Sequence, residues 1–255
     1  METNLSPDCF SEETALEQCN SYIHSQIQGR KNRPYDDTSR PPGPAITISY
    51  QTGSGAHMIA RQLAKRLQET GSVEDVLWTV FDHHLVGKVL EEHHLPQSLA
   101  KYMPEERRSY IQDVMEEISG LRPPSWVMIP QVAETVVHLA ESGHVILVGR
   151  GANFITARMT NVFHVRLIAP LTSRISRVQK TNHLTNEEAA KFVAQSDLGR
   201  GRYEKAHFHV CADDNLSYHL LVNTDLIPIP EAVELITEGA RRCFKRGNGK
   251  VNYDK

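Results

Sequence analysis

Short β-branched runs alternate with helical stretches along most of the chain. The runs are Ile46 to Tyr50, Leu77 to Phe81, Val145 to Val148, Val162 to Ile168 and Leu220 to Val222. Several are apolar almost throughout, as expected of parallel strands covered on both faces. Between them the spacing of apolar positions predicts helices over 56–69, 131–141, 171–180, 186–198 and 230–242. The last four carry start signals, with Pro130, Pro170, Asn186 and Pro230 at or next to the first turn. This alternation is the signature of βαβ units, so the pattern predicts a three-layer α/β domain on a five-stranded parallel sheet that begins at Ala45.

Four intervals fall outside that rhythm. Residues 11–28 place Leu16, Cys19, Tyr22, Ile23 and Ile27 at spacings of three and four, which reads as an amphipathic helix opened by Ser11. Such a helix needs a surface: the core, or a second copy of the chain, which would make a homodimer. Residues 29–44, rich in Pro, Gly and charge, read as a linker, so 1–44 form a helix and Pro-rich arm ahead of a domain over 45–245, with a polar tail at 246–255. Between Asp82 and Val145 the chain is too long for a simple crossover, which predicts a mostly helical insertion over 83–125. A second polar, basic interval spans 182–210.

Composition narrows the partners. Lys and Arg total 28 against 31 Asp and Glu, a net charge of -3, so no global basic field drives nucleic-acid binding. Any anion site must be local. The four cysteines form no CxxC pair, which fits reduced thiols better than a zinc knuckle or a disulfide framework. The acidic first residues do not read as a signal peptide, and no apolar run approaches the roughly 18 to 20 residues of a membrane span. The expectation is a cytoplasmic protein with no nucleic-acid or membrane partner.

The candidate chemistry lies in "YQTGSGAHM", residues 50–58, between the first strand and its helix. In a phosphate-binding P-loop, successive backbone N–H groups of a Gly-rich turn point at the phosphates, a Lys reaches the β/γ oxygens and a Ser/Thr holds Mg²⁺. Aligned on G-x-x-x-x-G-K-[ST], Tyr50 takes the first glycine position, Gly55 the second, Ala56 the Lys and His57 the Ser/Thr. Gly53 and Gly55 still permit a tight turn and a close backbone approach to an anion. A dinucleotide-binding reading fits less well, because its third glycine falls on Met58.

Six stretches in order, "ITISYQTGSGAHMIARQLAKRL", "VFDHHLV", "HVILVGRGANFI", "NVFHVRLIAPLTSRISRV", "SDLGRGRYEKAHF" and "YHLLVNTDLIPIPEAVELI", resemble the segments of the cytidylate kinase-like family, relatives of the nucleoside monophosphate kinases. The resemblance covers about residues 45–240. It implies a P-loop NTPase fold with strand order 2-3-1-4-5, a monophosphate-binding insertion after the second strand and a basic lid after the fourth. It further implies phosphoryl transfer from ATP to a nucleoside monophosphate such as CMP, with Mg²⁺.

Carried over residue by residue, the resemblance makes Gly53, Ser54, Gly55, Ala56, His57 and Met58 the donor-phosphate loop. Arg150 matches the acceptor arginine of the kinase D-G-R-D stretch, without that stretch's flanking acids, whose places hold Val148 and Gly151. Asp82 sits where the kinases keep an acid, to contact an Mg²⁺ water or substrate, or alternatively to cap the next turn. Arg174 and Arg177 share a helix face and fall on the nucleotide side. Arg200, Arg202 and Lys205 in "GRGRYEK" resemble the cationic set of the lid, flanked by Gly199 and Gly201.

The thirteen histidines raise a metal reading, notably "DHHLVGKVLEEHH" and the group His207, His209 and His219 near Cys211. On one helix His83 and His94 would lie about 16 Å apart, too far to share an ion. "CADDN" reads as a polar turn before the fifth strand. His57 differs, because it opens the helix that would face phosphate and can carry a positive charge. Two functions follow: an ATP-dependent nucleoside monophosphate kinase, or a nucleotide-binding regulatory module that lacks the loop Lys.

Overall fold

The computed structural model describes residues 14, 17–19, 21, 22, 42–70, 77–82, 129–149, 151–208 and 214–247. The predicted insertion over 83–125, most of the linker, Arg150 and the polar tail beyond Gly247 lie outside these residues; the last helix runs two residues into the predicted tail. The described elements are β1 (Ala45–Tyr50), α1 (Ala56–Thr70), β2 (Thr79–Asp82), α2 (Ile129–Ser142), β3 (Val145–Val148), α3 (Ala152–Ile155), β4 (Val162–Ile168), α4 (Leu171–Asn182), α5 (Asn186–Phe208), a single 3₁₀ turn at Asn215–Ser217, β5 (Leu220–Asn223) and α6 (Ile229–Gly247). The strands form one parallel sheet in the order β2-β3-β1-β4-β5, the order that the resemblance implies.

Register follows from which face each residue must bury. Ile46 and Ile48 of β1 lie beside Ile146 and Val148 of β3, and they join Ile59 and Leu63 of α1 and Val233 and Ile236 of α6 in one core. The opposite face joins Val145 and Leu147 to Phe81, Val136 and Leu139. Because side chains alternate across a strand, a one-residue slip would exchange these two sets. The fold is therefore three-layered, with α1 and α6 on one face and α2 and α3 on the other.

Cys19 and Tyr22 belong to the second core. Tyr22 donates its hydroxyl to the Gly143 carbonyl at 2.5 Å and meets the Phe81 ring edge-on at 5.6 Å between centroids. The described part of the N-terminal segment thus packs on its own core, the first of the two surfaces considered for it.

The strands are less apolar than their sequence pattern predicts. On the second face, the cross-strand pairs Thr47 with His164 and Ser49 with Arg166 are polar and buried. Each pair is satisfied internally: Thr47 Oγ1 and His164 Nδ1 lie 2.8 Å apart, and Arg166 donates to Ser49 Oγ at 2.8 Å. The His164 amide donates to Nδ1 of His219 at 2.9 Å, and the two rings stack. This is where His219 goes. His209 and Cys211 lie outside the described residues.

Two helices depart from expectation. α5 does not stop at 198 but continues to Phe208, carrying Gly199 and Gly201 inside it. It opens on a capping box in which the Glu188 carboxylate accepts from the Thr185 N–H at 2.8 Å and Thr185 Oγ1 accepts from the Glu188 N–H at 3.3 Å. α3 is one turn, too short for a periodic signal. Before β5, Asp214 accepts from the Leu216 N–H and caps the 3₁₀ turn, in keeping with a polar turn at the end of "CADDN".

Candidate functional site

The carboxyl ends of β1 and β3 meet at the glycine turn. Gly53 has φ +84 and Gly55 φ +87, both in the left-handed region. A Cβ on Gly53 would stand 2.5 Å from the Arg174 carbonyl oxygen, which is backbone and cannot yield. At Gly55 the nearest atom would be the movable end of Ile229 at 3.2 Å, so there the backbone angle is the main constraint.

The turn is braced from outside through its carbonyls. Arg174 donates to the Thr52 carbonyl at 3.1 Å and to the Ala169 carbonyl at 3.0 Å. Arg177 donates to the Thr224 carbonyl at 2.5 Å and to its hydroxyl at 2.9 Å, and the Thr224 hydroxyl donates to the Ser54 carbonyl at 2.9 Å. Arg200 donates to the Tyr50 carbonyl, and its guanidinium lies 4.0 Å from the centre of the Tyr50 ring.

Peptide planarity turns these contacts into a statement about the loop's donors. In a trans peptide the N–H of one residue points opposite to the C=O of the residue before it. With the Thr52 and Ser54 carbonyls held outward, the N–H groups of Gly53 and Gly55 point the other way. The Ser54 N–H turns back to the Gln51 carbonyl at 3.0 Å. The first amides of α1, from Ala56 onward, have no intrahelical acceptor. The Gly53 and Gly55 N–H groups thus lie on the side of the turn opposite these braces, beside the unpaired first amides of α1, the arrangement that helix N-termini use to bind anions. Ser54 itself is fully buried, and its Oγ has no hydrogen-bond partner among the described residues.

The predicted site residues separate into three groups. Arg174, Arg177 and Arg200 converge on the loop, but as braces: Arg174 is buried and forms an ion pair with Asp197 at 2.6 Å. Asp197 also accepts from the Thr52 N–H at 2.9 Å. His57 and Asp82 face each other across the mouth, with Nδ1 3.8 Å from Oδ2, and His57 meets Tyr50 edge-on. Met58, Arg202 and Lys205 are exposed, and Ala56 is buried in the apolar core, leaving no cation at the P-loop Lys position.

In the second core the Cys19 thiol lies 3.5 Å from the Val80 carbonyl. The Cys19 thiol is pushed up to about 12, first by burial and then by the nearby charge of Asp82, which keeps it a neutral thiol. Among the described residues no three His, Cys, Asp or Glu side chains gather as a metal-ion site, and no helix is long and apolar enough to cross a membrane.

Sequence reasoning missed Asp197, Thr224 and the ring of Tyr50. Thr224 directly follows β5, and a polar residue at the carboxyl end of a parallel strand is a weak but usable signal. Asp197 carries none, because only the docking of α5 on the loop gives it a partner.

A five-stranded parallel sheet in this order, with the glycine turn between its central strand and a helix, is a P-loop fold of the kinase type. Residues 45–226 match the cytidylate kinase-like family, and the chain belongs to it. An uncharacterized protein from Eubacterium ventriosum has a similar fold, with 15% sequence identity, a TM-score of 0.56, and coverage of 78% of this chain and 98% of that one. A shikimate kinase from Bacteroides thetaiotaomicron is 14% identical over 79% of this chain and 96% of its own, with a TM-score of 0.39. Uronate isomerase of Corynebacterium glutamicum is 30% identical over 121 residues, which make up 46% of this chain and 22% of that enzyme. The chain thus spans about a fifth of that relative's length.

Proposed function

We propose that the protein transfers a phosphoryl group from ATP to a nucleoside monophosphate. The observation that supports this reading is the braced glycine turn, whose outward-held carbonyls turn the Gly53 and Gly55 N–H groups to the opposite side, as an anion site needs. In this reading the amides from Gly53 to Met58 bind the donor phosphates. Arg200 lies closest in role to the absent Lys, because it is already held against Tyr50 and Thr52.

Asp82 fits Mg²⁺, as a partly exposed carboxylate at the strand end facing the loop. When bound, the ion would neutralise phosphate charge during transfer. Arg150 is assigned the acceptor phosphate on the resemblance. Phosphoryl transfer asks for position and charge more than covalent chemistry, which is what a cradle and a set of guanidinium groups supply.

One observation favours a nucleotide-binding module instead: Arg174, Arg177 and Arg200 are already engaged by protein groups, and Ala56 is core. Purified protein with Mg·ATP and each nucleoside monophosphate in turn, followed by ADP release, separates the two. The kinase reading expects acceptor-dependent turnover that Arg150→Ala lowers at least tenfold. Tight ATP binding with no turnover on any acceptor would overturn it in favour of the module.

A further inference from the structure

Glycine at position 53 lets the Thr52–Gly53 peptide take either of two senses. In one it presents the Gly53 N–H to the ligand side of the turn. In the other it presents the Thr52 carbonyl, whose partial negative charge repels phosphate. The sense is fixed by a single nitrogen of Arg174: Nη1 donates to the Thr52 carbonyl at 3.1 Å and to Oδ2 of Asp197 at 2.6 Å. The other oxygen of that carboxylate, Oδ1, accepts from the Thr52 N–H at 2.9 Å. Asp197 and Arg174 thus hold both backbone polar groups of Thr52, which is itself buried.

Helix packing puts the carboxylate there. Val178 of α4 and Val193 of α5 are buried in the small core that these two helices share. Arg174 and Asp197 each lie four residues from one of those valines, on the same face of its helix, and they bridge from that core to the turn. Arg174 is buried, so its charge needs the carboxylate. The neighbouring amides of the turn are tied elsewhere: the Gln51 N–H donates to the Leu167 carbonyl and the Ser54 N–H to the Gln51 carbonyl, both at 3.0 Å. The Gly53 N–H is the one whose direction the Arg174 and Asp197 pair sets.

We infer that Asp197 is a positioning residue for the bound nucleotide: by holding Thr52 and the shared Arg174 nitrogen, it keeps the Gly53 N–H turned to the donor phosphates. This deepens the kinase reading, and rests on it only in that the glycine turn binds those phosphates. Position and charge then predict opposite signs. A carboxylate behind a phosphate site repels phosphate, so if Asp197 acted by charge alone its removal would tighten nucleotide binding. Acting by position, its removal loosens binding.

The test is the Kd of Mg·ATP for the full chain, measured at a temperature at which wild type and variant are fully folded. A purely structural role lowers the melting temperature but does not move that Kd. Asp197→Asn keeps the size but has one acceptor oxygen, and turns an NH₂ towards either the Thr52 N–H or Arg174, so at most one of the two contacts survives. Its Kd is expected to rise about tenfold; a Kd that is unchanged or lower overturns the inference. If the asparagine variant does not fold, Asp197→Glu decides. It keeps both oxygens and the charge for Arg174 but sets them one methylene out of place for Thr52, and its Kd is expected to rise about threefold; a wild-type Kd there overturns the inference. A wild-type chain that binds no Mg·ATP overturns the kinase reading as well, whereas binding without turnover on any acceptor overturns that reading alone.

Discussion

At the scale of single residues, two positions carry most of the consequence. Gly53 is fixed twice, by φ +84 and by the Arg174 carbonyl 2.5 Å from where its Cβ would be. Gly53→Ala is expected to cost at least about 2 kcal/mol and to abolish nucleotide binding, as read by thermal melting with and without ATP. Gly55→Ala meets only a movable Ile229 methyl and retains more stability. The second position is His164, whose pKa is pushed down to about 4 by burial and by its neighbour His219. A folded-state value below the ordinary 6.5 means that the unfolded chain binds more protons between pH 6.5 and 4. Stability is therefore full above pH 6.5 and is lost as pH falls towards 4, by roughly 3 kcal/mol at 1.36 kcal/mol per unit. His219 adds in the same direction, since burial lowers it too, and its Nδ1 accepts the His164 amide only while unprotonated. Chemical denaturation between pH 7 and 4 should show this slope, and His164→Gln should flatten it.

At the scale of elements, α5 poses a physical question. Gly199 and Gly201 lie inside a helix, where each costs about 1 kcal/mol relative to alanine. A Cβ at either would meet nothing within 4 Å. Neither the backbone angle nor packing in this conformation calls for glycine. The pair flanks Arg200, which together with Asp197 latches α5 to the loop through Tyr50 and Thr52. A bend at 199–201 would release the end of the helix, with the exposed Arg202 and Lys205, while Ala189 and Val193 stay packed on Val178 of α4. The double variant Gly199→Ala/Gly201→Ala is expected to raise the melting free energy by about 2 kcal/mol and to lower acceptor-dependent turnover. Unchanged turnover in the stabilised variant would show that α5 works as the straight helix seen here.

At the scale of the whole molecule, the N-terminal segment is part of the domain's core. Tyr22→Phe should cost about 1 kcal/mol through the lost bond to the Gly143 carbonyl. Removal of residues 1–28 should cost far more, since it uncovers Phe81 beneath the end of β2; urea denaturation of the two variants checks the ranking. How much of this was legible in the sequence depended on the range of the physics involved. Hydrophobic period and β-branched runs are local, so all five strands and the five long helices could be read, to within a few residues at most ends. The turn glycines were legible because only glycine takes φ +84 without strain. The strand order followed from the resemblance. What only the tertiary structure decided is what each side chain faces. "SRISRV" displays two arginines but not that they grip the loop from behind, and "SDLGRGR" does not reveal that Asp197 meets Thr52. Nor does an alternating strand pattern disclose a buried His164 and Arg166. Those outcomes depend on partners 23 to 145 residues away in the chain, brought together by the burial of apolar faces, whose pattern the sequence does display.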